Sequence, residues 1–295
     1  MANVKMLIFG GCNVRAPLTG PLFPSWRRVP GVDWSGVPSG YRIIGTPFFT
    51  YTLNEMLQAV ACYRGEQSIP ADLYFLCNMK EHTAPTPATS PLARTDVALV
   101  EPNTSHEILL DGIYINRRPV LQLLGRVTKI SRETKSLGSR WFEKGLVAMN
   151  DEVRRATAAE LIPMIPETLP HYALTRAVLE RAVGEKPSQR EGLERLTAAL
   201  DFPIGVVTFT WAYMPDGRAL SWPSDFNREI TSAASDLNIP VYEPRHLVSQ
   251  AGVANSLEKD LRHYTNTFMP VVAKPIVEFA FEIATSAQPR KRAVG

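Results

Sequence analysis

Three short segments of the chain hold side chains able to do covalent or acid–base chemistry. The first, Gly10-Gly11-Cys12-Asn13, follows the apolar run Met6-Leu7-Ile8-Phe9. Glycines there permit a tight turn and close backbone approach. A thiol just past a strand, with free amides beside it, is a candidate nucleophile of depressed pKa. It also reads as a small buried hydrophobe, the usual role of a free cysteine. The second segment, Glu101-Pro102-Asn103-Thr104-Ser105-His106-Glu107, follows the apolar run Val97 to Val100. Its Asn, Thr and Ser side chains suit a developing oxyanion, and Asn103 reads equally well as a turn residue. The third is Asp260-Leu261-Arg262-His263-Tyr264-Thr265, ahead of the last helical stretch. Asp and His three apart allow the carboxylate to orient the imidazole, which is triad logic. The same spacing is common on charged surfaces.

These segments need elements to carry them. Met6 to Phe9, stopped by glycines, has the pattern of a parallel strand buried on both faces. Five prolines between Pro17 and Gly40 exclude a long helix there, and a loop of this length suits a lid or binding loop. Its Trp26, Arg27, Arg28 and Trp34 either cover an acceptor or pack the loop down. Pro17 and Pro21 also limit any helix after Cys12 to about one turn. Tyr41 to Gly45 reads as a second strand. Leu53, Met56, Leu57, Val60 and Ala61 mark an amphipathic helix closing near Gly65. Leu73 to Leu76 and Val97 to Val100 are two further strand candidates, separated by a Pro/Thr loop from Thr83 to Pro91. Helical spacing dominates from Pro119 to Leu200. Strand texture returns at Ile204 to Thr210, followed by a helix from Phe226 to Leu237, a strand at Pro240 to Tyr242 and a helix from Pro270 to Ala284. Strands alternating with helices imply an α/β fold with a mostly parallel sheet. The expected division is 1–118 for the first part of the core, 119–200 for a helical insertion, 201–285 for the rest of the core, and 286–295 for a basic tail with Arg290-Lys291-Arg292.

Composition excludes several classes. The 295 residues are 45% apolar and 21% charged, the profile of a globular protein rather than a disordered chain. The net charge of +3 is spread along the chain, unlike the clustered basic face of a nucleic-acid binder. No apolar run reaches the ~18 residues of a membrane span. The stretch ending at Cys12 is also too short for a secretory or lipoprotein signal, so a cytoplasmic location is expected. Three cysteines without a C-x-x-C pair argue against a disulfide framework and against zinc. Cys62 and Cys77 read as core. His82, His106, His171 and His246 show no metal spacing, and His106, beside Glu107, is the reserve base. No dinucleotide fingerprint or phosphate loop is present.

In chain order, the nucleophile turn, the Asn turn and D-x-x-H resemble the SGNH (GDSL-like) hydrolase family. The resemblance covers both ends of the chain and Val97 to Glu107, about half the residues. It implies a flavodoxin-like three-layer α/β/α sandwich. It makes Cys12 the nucleophile, His263 the general base, Asp260 its orienting partner, and Gly11, Gly45 and Asn103 the oxyanion or substrate-binding set. The chain departs from the family pattern at Cys12, where the family has serine, and at Gly11, where it has an acid. It also has Glu101-Pro102-Asn103-Thr104 in place of G-x-N-D. The cysteine turn is similar, over a short stretch, to bacterial polysaccharide-biosynthesis acyltransferases, whose Gly-Asn-Cys turn lies at the same place and which use coenzyme A. The expected function is acyl hydrolysis or acyl transfer through an acyl-Cys12 enzyme, on a glycan or a small ester or thioester. Coenzyme A is then a candidate acyl donor, with no tightly bound cofactor. The other class is a catalytically silent SGNH-like protein that binds a glycan or nucleotide-linked ligand. A redox-sensing cysteine is less favoured, because no resolving cysteine is near in sequence. The oligomeric state is not legible.

Overall fold

The computed structural model describes residues 3–22, 30–45, 49–208, 221–261 and 263–286. Trp26, Arg27, Arg28, Phe209, Thr210, Arg262, the 287–295 tail and the side chain of His82 lie outside the described residues. The chain opens with β1 (Val4–Gly10), α1 (Cys12–Thr19), β2 (Tyr41–Ile43), α2 (Leu53–Arg64) and β3 (Val97–Glu101). Next come β4 (Glu107–Leu110), β5 (Ile113–Ile115), α3 (Arg117–Val127) and α4 (Arg132–Ser139), which runs on as a π-helix over Arg140–Val147. They lead to α5 (Asp151–Leu161), α6 (Tyr172–Arg181), β6 (Val183–Glu185) and α7 (Gln189–Ala198). The last elements are β7 (Ile204–Val207), α8 (Ser221–Asp236), β8 (Val241–Tyr242), α9 (Arg245–Ala251), α10 (Val253–Ser256) and α11 (Met269–Ser286).

Five strands form one parallel sheet in the order β2-β1-β3-β7-β8. Numbered by their own succession this is 2-1-3-4-5, the flavodoxin-like order, in which ligands bind beyond the strand carboxyl ends where the order reverses. Successive side chains on a strand point to opposite faces, and both faces here are apolar. Leu7, Phe9, Ala98, Val100, Ile204 and Val206 pack into one cluster with α2, α7 and α8. Met6, Ile8, Val97, Leu99 and Val207 pack into the other with α1, α9 and α11. The fold is therefore a three-layer α/β/α sandwich with a mostly parallel sheet.

A small antiparallel sheet, β5-β4-β6, carries α3 to α6 at the side. The buried residues of this helical stretch, Trp141 among them, belong to the same apolar cluster as Leu7 and Phe9.

Two local expectations are corrected. Leu73 to Leu76 is not a strand but a 3-10 turn, Ala71–Leu73, running into further turns, with bonds Leu73 N to Pro70 O and Cys77 N to Leu73 O. Leu73 and Leu76 are buried at a spacing of three, which suits one helical turn, and a short apolar run does not distinguish the two structures. The second correction concerns α1, which runs for eight residues with Pro17 inside it, not for one turn. The Pro17 ring costs one backbone bond, while Val14, Pro17 and Leu18 bury the helix face.

Candidate active site

The order reverses between β1 and β3, and the first two segments leave the sheet at that point. β1 ends at Gly10, which pairs with Glu101 at the end of β3. Gly10 has φ of 153°, and a Cβ there would stand 2.6 Å from the Cβ of Glu101, so only glycine lets the strand ends close up. Gly11 is the N-cap of α1, and Cys12 is its first helical residue. A Cβ on Gly11 would lie 2.9 Å from Nδ2 of Asn103, so the Asn103 amide rests directly on the turn that leads into Cys12. The Asn103 backbone N–H donates to Tyr51 O at 2.8 Å.

Glu101 fills the capping role that a glycine N-cap cannot. Its Oε2 accepts from the backbone N–H of Gly11 at 3.0 Å and of Val14 at 3.2 Å. These are helix-start donors that a side chain must satisfy. Glu101 is wholly buried, and burial pushes its carboxyl up to about 8, against the two amide bonds that pull it down. Its Oε1 and the Asn103 Oδ1 are buried and have no hydrogen-bond partner among the described residues.

Cys12 is half-buried. The depressed pKa expected of this thiol is not found: it is pushed up to about 12, first by burial, then by the Glu101 carboxylate and more weakly by Asp260. The Cys12 backbone N–H and the Arg118 guanidinium act in the opposite direction without overcoming burial. The resting thiol is thus protonated, so a nucleophilic role for it would require a base at the moment of reaction.

Asp260 and His263 occupy a tight turn closed by the antiparallel bridge of Leu257 with Tyr264 and by Glu258 N donating to His263 O at 2.7 Å. Oδ1 of Asp260 accepts from His263 N at 3.1 Å, and its Oδ2 is bonded to His263 Nδ1. Both side chains are about half exposed (47% and 51%), which leaves them open to a substrate. Asp260 raises the thiol pKa as the weakest of the effects acting on Cys12. The bonds of the His263 ring run to Asp260, and Nε2 has no bond to a described residue.

Gly45 is elsewhere. It packs on Leu7 and Pro91, midway along β1, where its missing side chain makes room for them. His106 lies on the helical side beside Lys186 and Arg117, which together with burial lower its pKa. His171 stacks on Phe75 and His246 meets the edge of Tyr242. Trp34 packs against Gly20, at the end of α1. Cys62 and Cys77 are buried. Among the described residues no group of His, Cys, Asp and Glu is arranged to hold a metal ion, and no helix is long and apolar enough to cross a membrane.

Sequence reasoning missed a supporting shell. Buried Glu55 accepts from Tyr51 N at 3.0 Å and from Asn116 Nδ2 at 2.9 Å, while Asn116 Oδ1 accepts from Arg118 N at 3.0 Å. One carboxyl thereby fixes Tyr51, whose carbonyl holds Asn103, and also the start of α3, which presents Arg118. Burial raises Glu55 to about 7. Because Glu55 and Glu101 hold protons in the folded state that an unfolded carboxyl gives up near 4.3, stability falls as pH rises from about 4.5 to 8. The expected loss is on the order of a few kcal/mol, read as the urea midpoint at pH 5 against pH 8.5. Glu55→Gln should shrink it, whereas a midpoint that rises over this range contradicts the assignment.

The family model described as the TviD N-terminal domain matches residues 4–279. A solved structure of the inhibitor-bound form of a Mycobacterium smegmatis aryl esterase is 12% identical, over 95% of this chain and 99% of that one, with a TM-score of 0.34. No curated protein matches the chain in sequence.

Proposed function

The chain belongs to the TviD N-terminal domain family, and from the geometry of its site we propose that it transfers acyl groups through a thioester on Cys12. The observation that carries this reading is a helix-start thiol at the strand-order reversal with the Asn103 amide resting on its turn, and we assign the bonded Asp260–His263 pair as its base. His263 takes the Cys12 proton as Sγ attacks the acyl carbonyl carbon. The oxyanion is met by the Cys12 backbone N–H and by Asn103 Nδ2. Collapse breaks the bond to the leaving group, which departs with the proton from His263. An acceptor hydroxyl, of a sugar or of water, then gives its proton to His263 and attacks the thioester, and Sγ leaves and is reprotonated. Asp260 holds the imidazole by Nδ1 so that Nε2 works on the reacting side. The donor is an ester or thioester, with coenzyme A thioesters as one class.

A pre-steady-state experiment tests this. Mixed with an activated aryl ester, the protein should release a burst of one leaving group per Cys12. His263→Ala should slow that burst by about 10²- to 10⁴-fold. Equal burst rates in the two proteins would remove His263 from the mechanism.

A further inference from the structure

Two buried oxygens stand unsatisfied beside the nucleophile turn, and they belong to residues two apart in the chain. Glu101 Oε1 and Asn103 Oδ1 both act as acceptors when the carboxyl is ionised, and neither has a donor among the described residues. Both residues touch Gly11. From its Cβ position Glu101 Oε1 is 3.7 Å away and Asn103 Nδ2 2.9 Å. Leaving buried acceptors unpaired is costly, and a proton on one of the two oxygens would let each serve the other.

We propose that Glu101 is a positioning residue whose neutral carboxyl donates from Oε1 to Oδ1 of Asn103 and so aims Nδ2 of Asn103 at the oxyanion formed at Cys12. Two anchors fix the carboxyl for this task, since Oε2 already accepts from Gly11 N and Val14 N. The amide is fixed in turn, because only with Oδ1 bonded does its NH₂ group have one set direction. The surroundings favour the neutral form: the Glu101 carboxyl is raised to about 8 and is paired with no cation among the described residues. Its strand partner Gly10 on β1, and Val206 on β7, which pairs with the preceding Val100, carry no charge. From α1 it faces the Cys12 thiol, whose other charged neighbours are Arg118 of α3 and Asp260 of the 257–264 turn. Ionisation of Glu101 removes the bond to Asn103 and sets a second negative charge against the thiolate, so both effects slow acylation above about pH 8.

The inference rests on the acyl-transfer reading, and its test separates the two. The Asn103 side-chain amide resonances are followed by NMR from pH 6 to 9.5 in wild type and Glu101→Gln, alongside the rate of Cys12 acylation by an activated ester. In wild type the Asn103 resonances should titrate with a midpoint near 8, and the acylation rate should fall over the same range. Glu101→Gln donates from its own amide, so it should abolish the Asn103 titration, keep acylation within about tenfold of wild type at pH 7, and lose the alkaline fall. Glu101→Ala should lower acylation at pH 7 by about 10²- to 10³-fold, the scale of a lost oxyanion donor. Asn103 resonances that do not titrate, or that titrate unchanged in Glu101→Gln, overturn the pairing. If they titrate as expected while Cys12 is never acylated, the Glu101–Asn103 pair stands and the acyl-transfer reading fails.

Discussion

Cys12→Ala is expected to abolish acyl transfer, with a fall of roughly 10⁴- to 10⁶-fold, the scale on which triads lose rate with their nucleophile. The fold should survive, because the side chain is small, half-buried and free of any disulfide. On the proposed mechanism what disappears is the sulfur that would form the covalent intermediate, while the Asn103 amide and the Asp260–His263 pair remain. Cys12→Ser separates the nucleophile from its surroundings. On the proposed mechanism a hydroxyl at the start of α1 would use the same histidine base, and the thiol it replaces is itself held protonated at rest. Cys12→Ser should therefore keep a measurable part of the esterase turnover, where a site depending on a preformed thiolate would keep none. Turnover of an activated ester by the three proteins at equal concentration checks this. Cys12→Ala at the wild-type rate would place the chemistry elsewhere.

The second large effect is on stability. Trp141 is completely buried, and its Nε1–H donates to Leu179 O at 3.1 Å. Trp141→Ala removes the ring from the centre of the helical stretch and is expected to cost about 3–5 kcal/mol. Trp141→Phe keeps most of the volume but strands the Leu179 carbonyl, at about 1–3 kcal/mol. The helical stretch and one face of the central sheet share a single apolar cluster, so the loss should appear as one shifted urea transition followed alike by far-UV signal and by protection of β1 amides. Two separated transitions would mean that residues 119–200 unfold as a unit of their own.

The parts of the fold legible in the sequence are those whose pattern has one physical reading. Met6 to Phe9 and Val97 to Val100 are apolar at every position because both faces of a parallel strand are covered. The apolar stripe from Leu53 and Gly65 at the C-cap, with φ of 76°, predict α2 to within a residue. Leu73 to Leu76 offered no such discrimination. The β4–β5 hairpin was legible and went unread, since Asp111-Gly112 between apolar runs is a strong two-residue turn signal, and both residues have positive φ.

The site divides in the same way. Cys12, Asn103, Asp260 and His263 are candidates by their place at strand ends and before a helix, and each has an ordinary structural use as well, in a core, a turn or a charged surface. Gly45 had only its place after a strand to recommend it, and packing against Leu7 and Pro91 accounts for it. Glu101 carried a visible signal, a carboxylate closing an apolar strand, but its bonds to Gly11 and Val14 cross about 90 residues and no local spacing reveals them. Glu55, Asn116 and Arg118 are hidden for the same reason, their order being set by tertiary hydrogen bonds. The thiol pKa also depends on tertiary burial. The turn alone argues for a depressed value, and the packed site reverses it.

The proposed function requires that Cys12 carry an acyl group. It is tested most directly by intact mass and peptide mapping after incubation with acetyl-coenzyme A and a panel of activated esters, with Cys12→Ala in parallel. The account predicts a single acyl adduct that maps to Cys12 and is missing from the mutant. The absence of an adduct with every donor, or an adduct of equal size in Cys12→Ala, would contradict it.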